Sequence, residues 1–202
     1  HTLPGMTADD RSRASPTERP ANLREACLRE AAEVIDERGV EGLSLRHVAR
    51  RLGVSHQAPY RHFESRDHLL AEIVARAFAA FAVALEARSH DDDPHRDLVA
   101  MGRGYLDYAS DHPLQYRLMF GTALPDPGAH PEMMAKAQHV FSLLEGVLER
   151  VARQRGSDSF PGDDRRDDGS PGMAARRDAL FVWSALHGLA SISGSCAAGR
   201  LE

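Results

Sequence analysis

Apolar residues recur along this chain at the spacing of helix faces. Gly39 follows the first stripe and is expected to end that helix, because glycine adopts the backbone conformation of a helix C-terminus at little cost. Patterns of strict alternation, which are typical of strands, do not occur, and the sequence therefore predicts an all-α fold. The first stripe lies at Leu23, Cys27, Ala31, Val34 and Ile35. A longer one occupies Leu69, Leu70, Ile73, Val74, Ala77, Phe78, Phe81 and Leu85.

Three serines mark predicted helix starts, because a serine hydroxyl can accept a free amide of the first helical turn. Ser44 precedes a short helix, and Ser65 precedes the long one. Ser55 precedes another short helix that is expected to run to about His62. Pro59 would be the fourth residue of this helix and would cost it only its first intrahelical bond, so the helix is expected to survive with a distorted opening turn.

The rest of the chain alternates helical and polar stretches. Further helices are predicted over about 95–110, 113–120, 132–154 and 173–198. Segments rich in Asp, Gly, Pro and Ser lie between them and are expected to be loops, at 90–95, 122–131 and 156–172. The polar residues 1–18 are expected to form a flexible arm.

Residues 44–63 combine two short predicted helices with a turn. A helix-turn-helix needs a small residue where the helices cross and a turn residue that tolerates positive φ. Ala49 and Gly53 meet both needs at a spacing of four positions. Five arginines and one glutamate lie from Ser44 to Arg66, a local charge of +4 in a chain whose formal net charge is −5. This concentration of positive charge favours contact with DNA phosphates over the alternative of a solvated helical hairpin.

Composition adds limits on location and chemistry. Cys27 and Cys196 each stand in an apolar helical pattern, which favours buried packing over a disulfide. No apolar run approaches the roughly 20 residues of a membrane span, and the polar N-terminus lacks a signal-peptide core. A cytoplasmic protein without membrane association is expected. The acidic, histidine-containing stretch 90–95 resembles a metal site in composition alone, and neither a metal nor a cofactor is expected.

The stretch GVSHQAPYRHFESRDHLL, at 53–70, resembles the signature of the tetracycline-repressor-like (TetR) family. That signature is a Gly-Val-Ser turn, a recognition helix ending in Tyr-x-His-Phe, and a basic residue opening a long helix. The resemblance covers roughly 23–85. It is extended by YASDHPLQYRLMFG (108–121) and WSALHGLA (183–190), which resemble the ligand domain of a subgroup with a Trp-x-x-x-His-Gly signature. It implies a DNA-binding transcriptional regulator, with repression as the family default.

The resemblance also implies which residues contact DNA. Gln57 would pair with adenine in the major groove, whereas hydroxyls and cations would hold phosphates. Arg66 opens a helix, where a cation opposes the helix dipole, and a bound phosphate would offset this cost. Phe63 is expected in the core. The predicted DNA-binding residues are Ser44, Arg46, Ser55, His56, Gln57, Ala58, Tyr60, Arg61, His62 and Arg66.

These assignments divide the chain into three parts. They are the arm at 1–18, a DNA-binding domain at 19–66, and a helical effector-binding and dimerisation domain at 67–202. One recognition helix covers too few base pairs for specificity, so a homodimer on a palindromic operator is expected. The last two helices are the predicted interface. Small residues would allow the final helix to approach closely, namely Ala185, Gly188, Ala190, Ser191 and Gly194.

Soft and aromatic residues suggest a pocket for a small, largely apolar effector. His187 would be its polar handle, although a satisfied buried histidine is an equal alternative. Effector binding would pivot the helix that starts at Arg66 and separate the two recognition helices. The predicted effector-binding residues are Met101, Tyr105, Tyr108, Tyr116, Met119, Phe120, Met133, Phe141, Trp183 and His187.

Other classes of function are less well supported. No Gly-x-Ser-x-Gly elbow, phosphate-binding Gly-Lys-Ser/Thr loop or His-Glu-x-x-His motif occurs in the sequence, so an enzyme is not expected. A DNA-binding or protein-interaction module without an effector stays open. An activator also stays open, because the sequence does not encode where the operator lies relative to a promoter.

Overall fold

A computed structural model of the chain describes residues 22–88, 90–121, 124–158 and 171–197, with side chains at 22–88, 90–121, 124–155 and 176–193. Helices are the regular structure of these residues, and no strand occurs among them, which confirms the predicted all-α fold. The helices are α1 (Leu23–Arg38), α2 (Leu45–Arg51), α3 (Arg66–Glu86), α4 (Pro94–Asp111), α5 (Pro113–Phe120), α6 (Pro131–Asp158) and α7 (Pro171–Ala197). Two 3₁₀ turns lie at Val40–Gly42 and Pro59–Arg61.

Local capping explains where the first helices begin and end. The Ser44 hydroxyl accepts the His47 amide at 3.1 Å, and the Ser65 hydroxyl accepts the His68 amide at 3.0 Å. Gly39 closes α1 with φ of 73°, a backbone conformation that L-residues rarely adopt. The predicted starts of α2 and α3 and the predicted end of α1 are therefore confirmed.

Some predicted boundaries were wrong. Residues 156–158 continue α6, and residues 171–172 already belong to α7, although all five were expected in a loop. The 3₁₀ turn at Val40–Gly42 was not predicted. The predicted arm at 1–18, the rest of the 156–172 loop and the side chain of Cys196 lie outside the described residues.

Helix α3 is the central element of the fold. It packs against α1 on the N-terminal side and against α4, α5 and α6 on the C-terminal side. By length and composition alone this helix could cross a membrane, but more than half of its apolar window is buried inside the protein. Its apolar residues join a core that runs continuously from Cys27 in α1 to Ala190 in α7. We therefore interpret α3 as the core helix that links the two ends of the molecule.

The cysteine in α1 is a packing residue. Cys27 is fully buried, and this burial raises the pKa of its thiol. A raised thiol pKa keeps the side chain protonated and unreactive. The predicted role of Cys27 as a small buried hydrophobe is confirmed.

Candidate DNA-binding site

The turn after α2 has the geometry that the sequence predicts. Ala49 is fully buried, and its carbonyl accepts the Val54 amide at 3.0 Å. Gly53 has φ of 65°, and its amide donates to the Arg50 carbonyl at 3.2 Å. The small residue and the glycine thus form a tight turn that brings the following segment against α2.

The segment after this turn is not the α-helix that was predicted. Residues 56–58 form turns, and a 3₁₀ turn follows at Pro59–Arg61. Pro59 has no amide hydrogen to donate to the Ser55 carbonyl, which instead accepts the Ala58 amide at 2.9 Å. One missing bond is decisive here because the segment is too short for α-helical propagation to compensate for it.

The exposed side chains of this region surround one shallow depression. Arg46 lines it from α2, while His56, Gln57 and Tyr60 line it from the turn segment. Ser44, Ser55, Arg61 and His62 are also exposed, and Ala58 is partly buried. Phe63 is fully buried, which confirms its predicted place in the core. Nine of the ten predicted DNA-binding residues therefore have at least part of their surface open to a ligand, and none of the nine forms an ion pair with another described residue.

Arg66, the tenth, is engaged within the protein. Its Nε donates to the Leu43 carbonyl at 3.1 Å, and its Nη2 donates to the Val40 carbonyl at 2.6 Å. Its Nη1 pairs with Asp67 at 3.0 Å. These partners satisfy the cation at the start of α3 without a phosphate, and contact of Arg66 with DNA stays a prediction.

Arg51 is also engaged within the protein. It forms ion pairs with three glutamates of α1, which are Glu30, Glu33 and Glu37. The hydrogen bond from Arg51 is the main cause that lowers the pKa of Glu37. The positive surface available to DNA is therefore smaller than the local charge of the sequence suggests, and it rests on Arg46, Arg50 and Arg61, all exposed.

The aromatic residues among the predicted effector residues pack ring against ring in one group, here called the aromatic cluster. The Trp183 ring lies 5.6 Å from both Tyr105 and Phe120 and 5.7 Å from Phe141, measured between ring centroids. Five of the ten predicted residues are buried, namely Met101, Tyr105, Tyr108, Met119 and Met133. The other five are half-buried, namely Tyr116, Phe120, Phe141, Trp183 and His187. Met133 additionally lines a cleft beside Arg24 and His130, away from Trp183.

A chain of hydrogen bonds crosses this cluster. The Tyr105 and Tyr116 hydroxyls lie 3.1 Å apart, and the Tyr116 hydroxyl lies 2.7 Å from Nδ1 of His187. Burial raises the pKa of both tyrosines, which keeps their hydroxyls protonated. His187 therefore has a protein partner, as the alternative of a satisfied histidine predicts.

One buried polar site was missed by the sequence reasoning. Asp97 in α4 is fully buried and accepts a hydrogen bond from Nη1 of Arg150 at 2.7 Å. Nη2 of Arg88 lies 3.2 Å and 3.3 Å from its two oxygens. The sequence carried a signal for this site, because Asp97 stands within the apolar stripe of α4, between Pro94 and Met101.

The fold and the site together define a helical protein with an N-terminal helix-turn-helix, and comparison with known proteins identifies its family. Residues 28–73 match the model of bacterial regulatory proteins of the tetR family, and residues 98–199 match that of the tetracyclin repressor-like C-terminal domain. The chain therefore belongs to the TetR family of DNA-binding transcriptional regulators.

Individual relatives agree with this assignment. The HTH-type transcriptional regulator Rv1816 of Mycobacterium tuberculosis is 32% identical over 64% of this chain, and the match spans 66% of that relative, just under two thirds. The tetracycline repressor protein class A from transposon 1721 of Escherichia coli is 32% identical over 59% of this chain and 53% of its own length. A structure of a protein with unknown function from Rhodococcus sp. RHA1 is 30% identical, has a TM-score of 0.65, and covers 88% of this chain and 87% of its own.

Proposed function

We propose that this protein is a repressor that binds a palindromic operator as a homodimer and is released by a small, largely apolar effector. The observation that carries the DNA-binding part is the exposed depression at the helix-turn-helix, lined by Arg46, His56, Gln57 and Tyr60. A cation, two hydrogen-bonding side chains and a phenol in one surface suit a DNA backbone next to base edges.

The proposed contacts divide into two kinds. Gln57 and His56 read base edges, with Ala58 beside them. Arg46 and Tyr60 hold phosphates, assisted by the exposed hydroxyls and cations of the same surface, which are Ser44, Ser55, Arg61 and His62. The DNA-binding domain is proposed at 19–66 and the effector and dimerisation domain at 67–202.

The proposed dimer interface is the outer face of α7, together with α6. Phe181 and Ile192 of α7 are 76% and 65% exposed, and Leu189 is 49% exposed. Large apolar side chains that share one helix face are costly to leave in water, and a second copy of the chain would bury them. Gly146 in α6 and Gly188 in α7 leave open space beside their backbones, which would permit close helix approach.

The effector is proposed to enter beside the half-buried side chains of the aromatic cluster. Tyr116 and His187 would offer it a hydroxyl and an imidazole in exchange for their mutual hydrogen bond, while Phe120 and Trp183 would supply apolar surface. Because these side chains are packed together, binding would displace some of them, and α3 would move with its packing partners. The Trp183, His187 and Gly188 pattern also supports membership of the Trp-x-x-x-His-Gly subgroup.

The same proposal places the protein in the cytoplasm, where the chromosome is accessible, and gives it no catalytic activity. Its DNA affinity is expected to fall as salt rises, because phosphate contacts release counterions. Ligand-free protein is expected to be the DNA-binding form.

The test is a binding titration of the full chain against the intergenic DNA upstream of its own gene, at several salt concentrations. Tight binding to one short palindrome, at two chains per site, is the expected result. Arg46→Ala is expected to weaken binding and reduce its salt dependence, because a phosphate contact is lost. Tyr60→Phe is expected to weaken binding through loss of the hydroxyl alone.

Failure of the wild-type chain to bind any DNA specifically at low salt would contradict the proposed function. Binding that no apolar compound releases would leave a DNA-binding module without an effector. Binding that raises transcription of the adjacent gene would replace the repressor by an activator.

A further inference from the structure

The structure places Arg66 between the first turn of α3 and the loop that precedes α2. Its guanidinium donates from Nε to the Leu43 carbonyl at 3.1 Å and from Nη2 to the Val40 carbonyl at 2.6 Å. The two carbonyls are 23 and 26 positions away in the sequence. The contact is therefore tertiary, and it joins the start of α3 to the residues that directly precede α2.

The two accepting carbonyls belong to Val40, in the 3₁₀ turn before α2, and to Leu43, the C-cap of that turn. Val40 begins this turn, and its carbonyl also accepts the Leu43 amide at 3.1 Å. Val40 and Leu43 are buried, which fixes their backbone. Leu43 directly precedes Ser44, the N-cap of α2, so a guanidinium that holds its carbonyl also sets where Ser44 and Arg46 lie.

We propose that Arg66 is a positioning residue for DNA binding, which fixes the start of α2 on α3 instead of holding a phosphate. The proposal rests on the proposed function, because it concerns how the DNA-contacting surface is held. It also gives α3 a direct connection to both ends of the motif. A displacement of the first turn of α3 would be passed through Arg66 to Ser44 and Arg46.

Arginine suits this role better than lysine does. The guanidinium is a rigid planar fork whose donors can reach two carbonyls at once, whereas an ammonium is a point charge on a flexible stem. Hydrogen bonds from a charged donor are also stronger than neutral ones. Asp67 pairs with the remaining Nη1 at 3.0 Å and offsets the charge at the helix start.

The experiment compares wild type with Arg66→Met, which keeps the length of the stem and removes the donors, and with Arg66→Lys, which keeps the charge. Operator affinity is measured over a range of salt concentrations. Hydrogen exchange of the amides of Gly42, Leu43 and His47 is measured on the same proteins without DNA. These amides report on the 3₁₀ turn and on the cap of α2.

The expected result has three parts. Both variants lose about tenfold or more in operator affinity, because hydrogen bonds from a charged donor are lost. The slope of log affinity against log salt stays at the wild-type value in Arg66→Met, because Arg66 itself holds no phosphate and Arg46 still reaches its own phosphate in the bound complex, where DNA orders the start of α2. The three amides exchange faster in both variants.

A phosphate contact would give the opposite pattern. The slope would fall by about 0.9 in Arg66→Met, exchange would stay as in wild type, and Arg66→Lys would bind normally. A reduced slope, unchanged exchange or normal binding by Arg66→Lys each overturns the proposal.

Arg61→Met is the matched control, because Arg61 is an exposed arginine of the same surface. It is expected to reduce the salt slope without changing exchange at the three amides. If the wild-type chain binds no DNA at all, the proposed function fails, while the exchange measurement still tests whether Arg66 holds the turn.

Discussion

Asp97 connects α4 with α6 and with the residues that follow α3. It lies in the first turn of α4, with Arg88 after the end of α3 and Arg150 on α6. The carboxylate is fully buried, and the Arg88 side chain is only 8% exposed. Removing a carboxylate from water is costly, so the site is stable only while both arginines compensate its charge. Nε of Arg88 and Oδ1 of Asp97 are buried without a hydrogen bond, so Oδ1 depends on its ion pair with Arg88.

Asp97→Asn is therefore expected to lower the free energy of unfolding by about 3 kcal/mol, since it leaves Arg88 buried beside a neutral group. Chemical denaturation monitored by circular dichroism measures this change. Asp92→Asn is the matched control, because Asp92 is exposed in the adjacent loop, and it is expected to change stability by less than about 0.5 kcal/mol. Equal effects of the two substitutions would refute a special role for the buried carboxylate.

Arg51 and Arg66, near the DNA-binding surface, are likewise charged residues whose partners lie within the protein. Arg51 ends α2 and Arg66 begins α3, and both pair with groups within the protein. Their charge contributes to how α1, α2 and α3 are held together. The arginines proposed to hold phosphates, Arg46 and Arg61, are ones that the fold leaves exposed.

At the scale of elements, the segment after Gly53 shows how one proline prevents a short stretch from forming an α-helix. Its length allows little more than one turn of α-helix, and Pro59 removes the amide that would close that turn. The result is a series of turns followed by the 3₁₀ turn Pro59–Arg61. Because the depression is lined by side chains from this segment, its backbone would determine which of them reach a base in the proposed complex.

Pro59→Ala tests this account. The substitution restores an amide that can donate to the Ser55 carbonyl, so the segment is expected to become more helical. Its amides at 59–61 should then be protected about tenfold against hydrogen exchange relative to an unstructured turn. Proline at the first position of a helix has no such effect, because the amide there has no intrahelical partner. Pro113→Ala, at the start of α5, is therefore the control, and no gain of protection is expected in α5.

The amides at 59–61 of the alanine variant could instead exchange as fast as those of an unprotected turn. That result would mean that packing against α2, and not the proline, determines the backbone conformation of this segment. A gain of protection accompanied by altered preference for the base opposite Gln57 would connect the local geometry with operator choice.

At the scale of the whole molecule, α3 and α7 have different tasks. α3 is buried along most of its length and connects the DNA-binding end with the aromatic cluster through Phe81, whose ring lies 5.2 Å from that of Tyr105. α7 packs on α4 and α6 with one face and leaves large apolar side chains exposed on another. This division suits a regulator in which a signal passes along α3 while α7 holds two copies together.

Phe181→Asp is expected to convert the proposed dimer to a monomer, because it places a charge where an apolar contact would be buried. Light scattering coupled to size exclusion measures the mass. Operator affinity should fall at least a hundredfold, since each half-site would then be bound by a separate chain. Val99→Asp, at an exposed apolar position of α4, is the control and is expected to leave the mass unchanged. A wild-type chain that is already monomeric, or a Phe181→Asp variant that keeps its mass, would contradict an interface on α7.

The sequence by itself determined the seven α-helices of the described residues, the serine caps of α2 and α3, and the two glycines of positive φ. These features depend on residues within about four positions of one another, so periodicity and capping rules predict them. Resemblance to the TetR family also indicated which segment faces DNA, and the exposed depression agrees with it. The 3₁₀ form of Pro59–Arg61 is a local feature too, but the predicted α-helix was wrong there. In so short a segment, the loss of one backbone hydrogen bond at Pro59 is enough to prevent an α-helix.

Only the tertiary structure decided which polar side chains face solvent and which face the protein. Arg66 meets carbonyls 23 and 26 positions away, Arg51 meets Glu37 across 14, and Asp97 meets Arg150 across 53. Tyr116 and His187, 71 positions apart, share a hydrogen bond that closes the aromatic cluster. The physical reason is that a charge or hydroxyl has the same sequence pattern whether water or a distant group satisfies it, and only the folded chain brings that group within reach.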